Sequence, residues 1–235
     1  NIPQDLHQHN DEFKRQVIKV TDGVYCAIGF GLANSIMIEG EDGLIIVDVM
    51  ESPGAAKEVN AEFRKISNKP VKAIVYTHNH TDHIKGAAVF AGDDKPLVIS
   101  HETLEDIYTS IVTFIKPILE KRSLRMFGVY LRPEDELVNA GLGLGMNIKD
   151  TEEKGYLSPN TTFKDSLKMK IAGIDFVFFH APGETDDQIN VYIPSKKLVC
   201  MGDNLYRTFP NLYTIRGTPY RDPVAWYKSI DKVRY

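Results

Sequence analysis

The chain has 235 residues, of which 43% are hydrophobic and 26% are charged, and its formal net charge is -4. This composition suits one large globular domain, or two small ones, with a substantial core. No apolar run approaches the roughly 18 residues that a membrane span needs, and no dense stripe of lysine and arginine with interleaved aromatics is present. We therefore expect a protein that neither spans a membrane nor binds nucleic acid, and whose partner is a small molecule.

The cysteines and the N-terminus say little about the cellular compartment. Cys26 and Cys200 lie far apart in predicted strands and form neither a CxxC motif nor a disulfide framework, which is typical of ordinary core thiols. The chain begins with Asn1 instead of methionine, and its first residues lack a signal-peptide pattern. Removal of a leader before Asn1 would fit a periplasmic or secreted protein, so both locations stay open.

The first part of the chain is rich in predicted strands. Residues 24–30, 34–49 and 71–77 are apolar and β-branched, and the Gly and Asp residues within 34–49 indicate a hairpin turn. Ser52 and Pro53 then predict a helix, with serine as the N-cap and proline in the first turn. Apolar residues of this helix recur at spacings of three and four, which predicts one buried face: Ala56, Val59, Phe63 and Ile66.

The middle of the chain predicts a helical insertion around residues 101–145. Ser100 is the predicted cap of a helix that Pro117 should kink or divide. A second helix is predicted to begin at Pro133, followed by Glu134, Asp135 and Glu136, and to end at Gly141. The first of these helices has an apolar series: Ile107, Ile111, Phe114 and Ile118.

Two interpretations of this insertion stay open, ordinary helical packing and a lid with an apolar lining. The lining would be formed by Phe114, Met126, Phe127 and Leu144. The GLGLG run at 141–145 lacks the GxGxxG spacing of a nucleotide-binding loop, and no strand precedes it, so we interpret it as a mobile loop.

A second group of strands is predicted late in the chain, at residues 167–179, 190–194 and 197–201. The segments at 172–173 and 194–195 carry turn residues. Two groups of strands with helices between and after them favour a layered α/β sandwich over a doubly wound parallel sheet.

The strongest functional pattern is the sequence THNHTDHIKG, which directly follows the predicted strand 71–77. His78 and His80 alternate, so in an extended loop both side chains project to the same side. Asp82 and His83 follow on the turn into a helix. Imidazole and carboxylate are ligands that zinc selects, and one pair could hold one metal ion and the second pair another.

The HNHTDH motif resembles the metal motif of the metallo-β-lactamase superfamily, whose fold is an αββα sandwich. That superfamily includes β-lactamases, thioesterases, lactonases, nucleases, dioxygenases and sulfatases, so the fold does not settle the activity. Many members carry a histidine after a Pro-Gly pair, whereas this chain has HAPGETDD with Glu184 in that place. Together with the segment NLYTIRG at 211–217, this pattern resembles the alkylsulfatase branch over nearly the whole chain.

The resemblance implies a zinc-dependent hydrolase that cleaves alkyl sulfate esters, such as dodecyl sulfate, to alcohol and inorganic sulfate with a metal-bound water or hydroxide. Residues 1–235 would form the catalytic domain, as the N-terminal part of a longer, homodimeric protein whose sandwich is incomplete at the C-terminus of this chain.

Carried over to this sequence, the resemblance implies two Zn²⁺ ions. His78, His80 and Glu184 would hold the first ion, Asp82 and His83 the second, and Asp203 would bridge them. Asp82 and Asp203 are thereby the expected catalytic carboxylates. Two further groups compete with Glu184 as ligand, namely Asp186 and Asp187.

Residues around the expected ligands have supporting roles in this interpretation. Asn211 and Arg216 would bind the sulfate group. Arg216 has an alternative role as the ion-pair partner of Asp222 or Glu184. Asp48, at the end of the second predicted strand run, would steady a ligand histidine.

The chain departs from the alkylsulfatase pattern at two positions and in one ligand. The branch has glutamate where Asp203 stands and histidine where Arg207 stands. The remaining ligand of the second zinc ion is a histidine that we expect beyond residue 235. The other histidines are poor substitutes for it: His7, His9, His101 and His180.

Other functions stay open at this point. A thioesterase or lactonase would use the same metal site and have no need of Arg216. An iron-dependent oxygenase is disfavoured, because the diiron branch of the superfamily expects glutamate where His80 stands. A non-catalytic binding module would hold one metal ion or none.

Overall fold

The computed structural model describes residues 3–132 and 137–234. Within these ranges, strands form a seven-stranded sheet and a four-stranded sheet, each with its strands in sequential spatial order. The larger sheet consists of β1 Gln16–Thr21, β2 Val24–Ile28, β3 Ser35–Glu39, β4 Leu44–Val47, β5 Val71–Val75, β6 Leu97–His101 and β7 Thr161–Phe163. The smaller sheet consists of β8 Ser166–Ile171, β9 Ile174–His180, β10 Ile189–Ile193 and β11 Leu198–Cys200.

The direction of the strands changes within the larger sheet. β1 to β4 pair antiparallel, whereas β4 to β7 are parallel neighbours. The smaller sheet is antiparallel throughout. Because β4 and β5 are parallel, the loops that follow them leave the same edge of the sheet.

Helices cover the sheets and connect them. They are α1 Gln4–His9, α2 Pro53–Ile66, α3 Thr81–Ile84, α4 Ala87–Ala91, α5 Leu104–Ser110, α6 Lys116–Met126 and α7 Pro223–Asp231. A π-helical turn, Ile111–Ile115, joins α5 to α6, and 3₁₀ turns occur at Asn10–Phe13, Pro194–Lys196 and Gly202–Asn204.

The core has two layers, one on each face of the larger sheet. Between the sheets, Ile45 and Val75 of the larger sheet share a buried cluster with Phe178 and Val191 of the smaller one. On the opposite face, helices α2 and α4 bury residues such as Phe63 against the larger sheet. The predicted layered α/β sandwich is therefore confirmed, as is the burial of Cys200 in its core.

Local signals were accurate where nothing distant competed with them. The Ser52 hydroxyl accepts a hydrogen bond from the Ala55 N–H at 3.1 Å, and Pro53 is the first residue of α2, as predicted. The interruption at Pro117 is also confirmed, because α6 begins at Lys116, directly after the π-helical turn.

The predicted helix cap at Ser100 is wrong. Ser100 lies inside β6, which pairs with β5 on one side and β7 on the other, and α5 begins only at Leu104. Strand pairing on both sides has overridden the local cap signal. The helix predicted to begin at Pro133 falls on residues 133–136, which lie outside the described ranges. The described residues 137–141 are not helical.

A buried carboxyl group connects three segments near the start of α2. Glu51 is 5% exposed, and its Oε1 atom accepts the backbone N–H of Leu32 at 3.0 Å and of Asn147 at 2.6 Å. A Cβ atom on Gly31 would lie 2.3 Å from this oxygen, so the carboxyl group occupies the space that only glycine leaves free. Burial raises the pKa of Glu51 to about 7.

Burying the Glu51 carboxylate lowers the stability of the folded protein at neutral pH. We expect Glu51→Gln to recover part of that stability, because the amide is neutral and its oxygen can still accept both hydrogen bonds. The pKa of Glu51 is about 7 in the folded state against an ordinary value of 4.5, so the unfolded chain releases its proton first. The stability of the wild type relative to the variant should therefore fall as pH rises from 4.5 to about 7, in total by about 3 kcal/mol.

Urea unfolding in the presence of a chelator at several pH values measures this difference. Glu152→Gln, at an exposed position, is the matched control for loss of one carboxylate. A stability difference between Glu51→Gln and the wild type that is constant with pH would contradict the assignment.

Candidate metal centre

The candidate site forms where loops from both sheets meet. Asp48 follows β4, and the segment 77–83 follows the neighbouring parallel strand β5. Glu184 lies in the loop between β9 and β10, and Asp203 follows β11. The backbone N–H of Ile189 donates to the Thr77 carbonyl at 2.8 Å, which joins the smaller sheet to the first ligand loop.

The six predicted metal ligands are brought together. Their potential ligand atoms form two groups in which all atoms lie within 4.8 Å of one another, and Asp203 belongs to both. The first group is His78, His80, Glu184 and Asp203, and the second is Asp82, His83 and Asp203.

Short contacts join the side chains within these groups. The His80 Nδ1 atom lies 3.5 Å from Glu184 Oε1. The His83 Nε2 atom lies 3.3 Å from Asp82 Oδ2 and 3.5 Å from Asp203 Oδ1.

Several of these atoms are buried without a hydrogen-bond partner among the described residues. They are His78 Nε2, His83 Nε2 and Glu184 Oε2. An unpaired buried polar atom is costly, so His78 Nε2 and Glu184 Oε2 indicate a missing binding partner, whereas His83 Nε2 has ion-pair contacts with Asp82 and Asp203. Imidazole nitrogen and carboxylate oxygen suit a divalent ion of the zinc type. The residues present therefore fit a metal site.

Asp48 orients His78 and His83 through hydrogen bonds. Its carboxylate accepts the Thr77 backbone N–H, the Thr77 hydroxyl and the His83 Nδ1–H, each at 2.8 Å. Because the Thr77 hydroxyl donates to Asp48, it accepts from His78 Nδ1 at 3.0 Å. Both histidines thus have Nδ1 protonated and present Nε2 to the site.

The three histidines of the site differ in protonation. Burial lowers the pKa of His80 to about 4 and that of His78 well below its ordinary value, so both are neutral. Burial also opposes charge on His83, but the carboxylates of Asp48, Asp203 and Asp82 hold its pKa well above the ordinary value. Without metal, His83 is an imidazolium, and metal binding there would release its Nε2 proton.

Glu184 is held by α7 and by the loop after β11. Its backbone N–H donates to Asn204 Oδ1 at 3.1 Å, and Trp226 Nε1 of α7 donates to the Asn204 carbonyl at 3.1 Å. A Cβ atom on Gly183 would lie 2.2 Å from Asn204 Oδ1, so glycine is required before Glu184. Burial raises the pKa of Glu184 to about 8, and the Arg221 guanidinium, 2.6 Å from Oε1, opposes that rise.

The structure separates the competing candidates from the site. Asp187 accepts a hydrogen bond from Asn79 Nδ2 at 2.5 Å, and Asp186 is exposed. His101 and His180 stack on each other with ring centroids 4.1 Å apart and belong to neither ligand group. The remaining histidines lie in α1. Of the carboxylates in the loop between β9 and β10, Glu184 is the one that belongs to a ligand group.

The two predicted sulfate-binding residues lie on the segment before α7. Arg216 is half-buried, its Nη1 atom lies 3.6 Å from Met126 Sδ, and its guanidinium lies 5.8 Å from the Phe127 ring centroid. Among the described residues it has no carboxylate partner, because Glu184 pairs with Arg221 and Asp222 caps α7. The side chain of Asn211 is exposed.

Arg221 and Tyr206 are two residues near the site that the sequence did not single out. The Tyr206 hydroxyl accepts the Asn211 backbone N–H at 3.0 Å. Arg221 is buried and pairs with Glu184. Their contacts join residues without a regular spacing, so no sequence pattern announces them. Arg207, which stands where alkylsulfatases are expected to have histidine, is exposed and pairs with Glu12 at 2.7 Å.

Comparison with known proteins agrees with this geometry. The sequence profile of the metallo-beta-lactamase superfamily matches residues 28–235. The chain belongs to the metallo-beta-lactamase superfamily. A metallo-beta-lactamase from Pontibacter korlensis shares the fold, with a TM-score of 0.61 at 15% identity over 94% of this chain and 85% of that chain.

The predicted resemblance to the alkylsulfatase branch is confirmed. A linear primary-alkylsulfatase of Pseudomonas sp. is 42% identical over 205 residues, which is 84% of this chain and 38% of that protein. The structure of a stereoselective inverting sec-alkylsulfatase from Pseudomonas sp. matches with a TM-score of 0.85 at 26% identity, over 97% of this chain and 37% of that chain. The chain therefore spans less than two fifths of the length of these relatives.

The sequence predicts no membrane-spanning segment. Across residues 3–132 and 137–234, no helix combines the length and the apolar character that crossing a membrane requires.

We expect Asp48→Asn to weaken zinc binding by roughly 10- to 100-fold, because the amide cannot accept from all three donors and the histidine orientations are lost. Competition with a chromophoric chelator measures the affinity. Asp42→Asn is the matched control, since Asp42 is an exposed partner of Lys72. Equal zinc affinity in Asp48→Asn and the control would contradict this role.

Proposed function

We propose that this protein hydrolyses sulfate esters of alkyl alcohols at a centre of two zinc ions. The observation that carries the proposal is the position of a half-buried arginine, Arg216, without a carboxylate partner among the described residues, on the segment that Arg221 joins to Glu184. The relatives named as alkylsulfatases support the same reaction.

The ligand sets follow from the two groups of donor atoms. His78, His80 and Glu184 would hold one ion, Asp82 and His83 the other, and Asp203 would bridge them because it belongs to both groups. Ions held by these residues would supply a water molecule of lowered pKa as the nucleophile for the ester. Asp82 and Asp203 are the proposed catalytic carboxylates, since they face the centre where that water would lie.

Arg216 would bind the sulfate group of the substrate. A sulfate ester carries one negative charge on a tetrahedral group, and a guanidinium can donate two parallel hydrogen bonds to its oxygens. Burial and the nearby Arg221 charge lower the pKa of Arg216, so a bound anion would relieve an unfavourable environment. The exposed Asn211 amide is available as a neutral donor from the same segment.

The alkyl chain would lie against the middle helices. Met126 and Phe127, at the end of α6, contact the Arg216 guanidinium. Phe114 lies on the π-helical turn before α6 and is 77% exposed. An apolar chain extending from a sulfate on Arg216 would cover such surface, which supports the lid interpretation of the insertion.

Sulfate release from dodecyl sulfate by the full-length protein, with metal content determined on the same sample, tests the proposal. We expect release with about two zinc ions per chain and loss of activity with a chelator. Two bound zinc ions without sulfate release would contradict it and direct attention to thioester and lactone substrates.

We expect Arg216→Ala to lower kcat/KM for alkyl sulfate by roughly 10- to 100-fold with unchanged zinc content, because charge-assisted hydrogen bonds to the sulfate are lost. Arg207→Ala is the matched control, since Arg207 is exposed and pairs with Glu12. Full turnover by Arg216→Ala would show that sulfate is bound by other groups.

A further inference from the structure

We propose that Arg221 is a positioning residue that couples zinc binding to sulfate binding by bridging Glu184 and the segment 211–217. The inference rests on the proposed function for Glu184 as a zinc ligand and for residues 211–217 as the segment that binds the sulfate. Arg221 is 6% exposed, its Nη2 atom lies 2.6 Å from Glu184 Oε1, and its Nη1 donates to the Asn211 carbonyl at 2.5 Å. Its backbone N–H donates to the Leu212 carbonyl at 3.3 Å.

On one side, Arg221 prepares the metal ligand. Glu184 Oε1 is occupied by the guanidinium, whereas Oε2 is buried without a partner among the described residues. A carboxylate held by one oxygen keeps its rotamer and presents the other oxygen to the metal. Arg221 thus restricts Glu184 to the orientation that zinc requires.

On the other side, Arg221 fixes the start of the anion-binding segment. The carbonyl that it holds belongs to Asn211, and Arg216 follows five residues later. The segment continues through a turn in which the Gly217 N–H donates to the Thr214 carbonyl at 3.0 Å. A displacement of residue 211 would therefore be transmitted to the guanidinium of Arg216.

The charges around Glu184 determine whether zinc strengthens or weakens sulfate binding. Glu184 Oε1 lies 2.6 Å from the Arg221 guanidinium. A cation bound to Glu184 would add positive charge beside this contact, and the region around Arg221 and Arg216 would become more favourable for an anion. Zinc should then strengthen sulfate binding, and by linkage sulfate should strengthen zinc binding by the same factor.

The test measures zinc affinity by chelator competition, with and without inorganic sulfate, and involves no turnover. In the wild type we expect sulfate to raise zinc affinity about tenfold, within the usual range of such couplings. In Arg221→Gln the ratio should fall to about two or less, because any direct attraction between zinc and sulfate remains but the bridge is lost. Arg207→Gln is the control and should keep the wild-type ratio.

Arg221→Lys covers the case in which Arg221→Gln fails to fold. Lysine keeps the charge but cannot donate to Glu184 and to the Asn211 carbonyl as a planar fork does, so its ratio should also fall below that of the wild type. An unchanged ratio in the folded variants, even with weaker zinc binding overall, would reduce Arg221 to a structural role and overturn the proposal. So would the absence of any coupling in the wild type.

The coupling measurement and the measurement of sulfate release can fail separately. Coupling that depends on Arg221 without sulfate release from dodecyl sulfate would leave this inference standing and remove the proposed substrate. Sulfate release with a coupling ratio unaffected by Arg221 would support the proposed substrate and overturn this inference.

Discussion

The candidate site depends on one buried carboxylate at the end of β4. Asp48 adopts a left-handed backbone conformation with φ of 58°, and its N–H donates to the Val75 carbonyl at 2.9 Å. Aspartate tolerates this conformation better than most residues do. From this position the carboxylate accepts three hydrogen bonds from Thr77 and His83. This group orients His83 directly and His78 through the Thr77 hydroxyl, so the orientation of two of the three candidate histidines is a consequence of how β4 ends.

The second constraint is the burial of charge in a small volume. Cationic and anionic groups alternate across the site, from the Asp48 carboxylate to His83 and from Glu184 to Arg221. In both pairs the partner lies within hydrogen-bond distance, which offsets the cost of burial. Arg216 differs from the others in lacking such a carboxylate among the described residues, which is the basis for proposing that it binds an anionic ligand.

The helical segment between β6 and β7 contacts the proposed anion site. In superfamily members of known structure the sandwich is shared at identities as low as 15%, so the common core does not discriminate among substrates. In this chain, the end of α6 contacts Arg216 directly. The apolar side chains of Met126 and Phe127 thereby place an apolar surface beside the proposed anion site, and this combination suits an amphiphilic ester.

The sequence by itself determined many local features: the strands other than β1, β6 and β7, the cap of α2 at Ser52 and the types of candidate ligand in HNHTDH. These features follow from short periodicities and from hydrogen bonds between near neighbours. Only the tertiary structure places Glu184 in the ligand cluster and Asp187 outside it, beside Asn79 of another loop. The same holds for Ser100, whose strand neighbours override its cap signal, and for Arg221, whose partners Glu184 and Asn211 come from different segments. Contacts of this kind join residues distant in the chain and have no fixed spacing, so no local pattern encodes them.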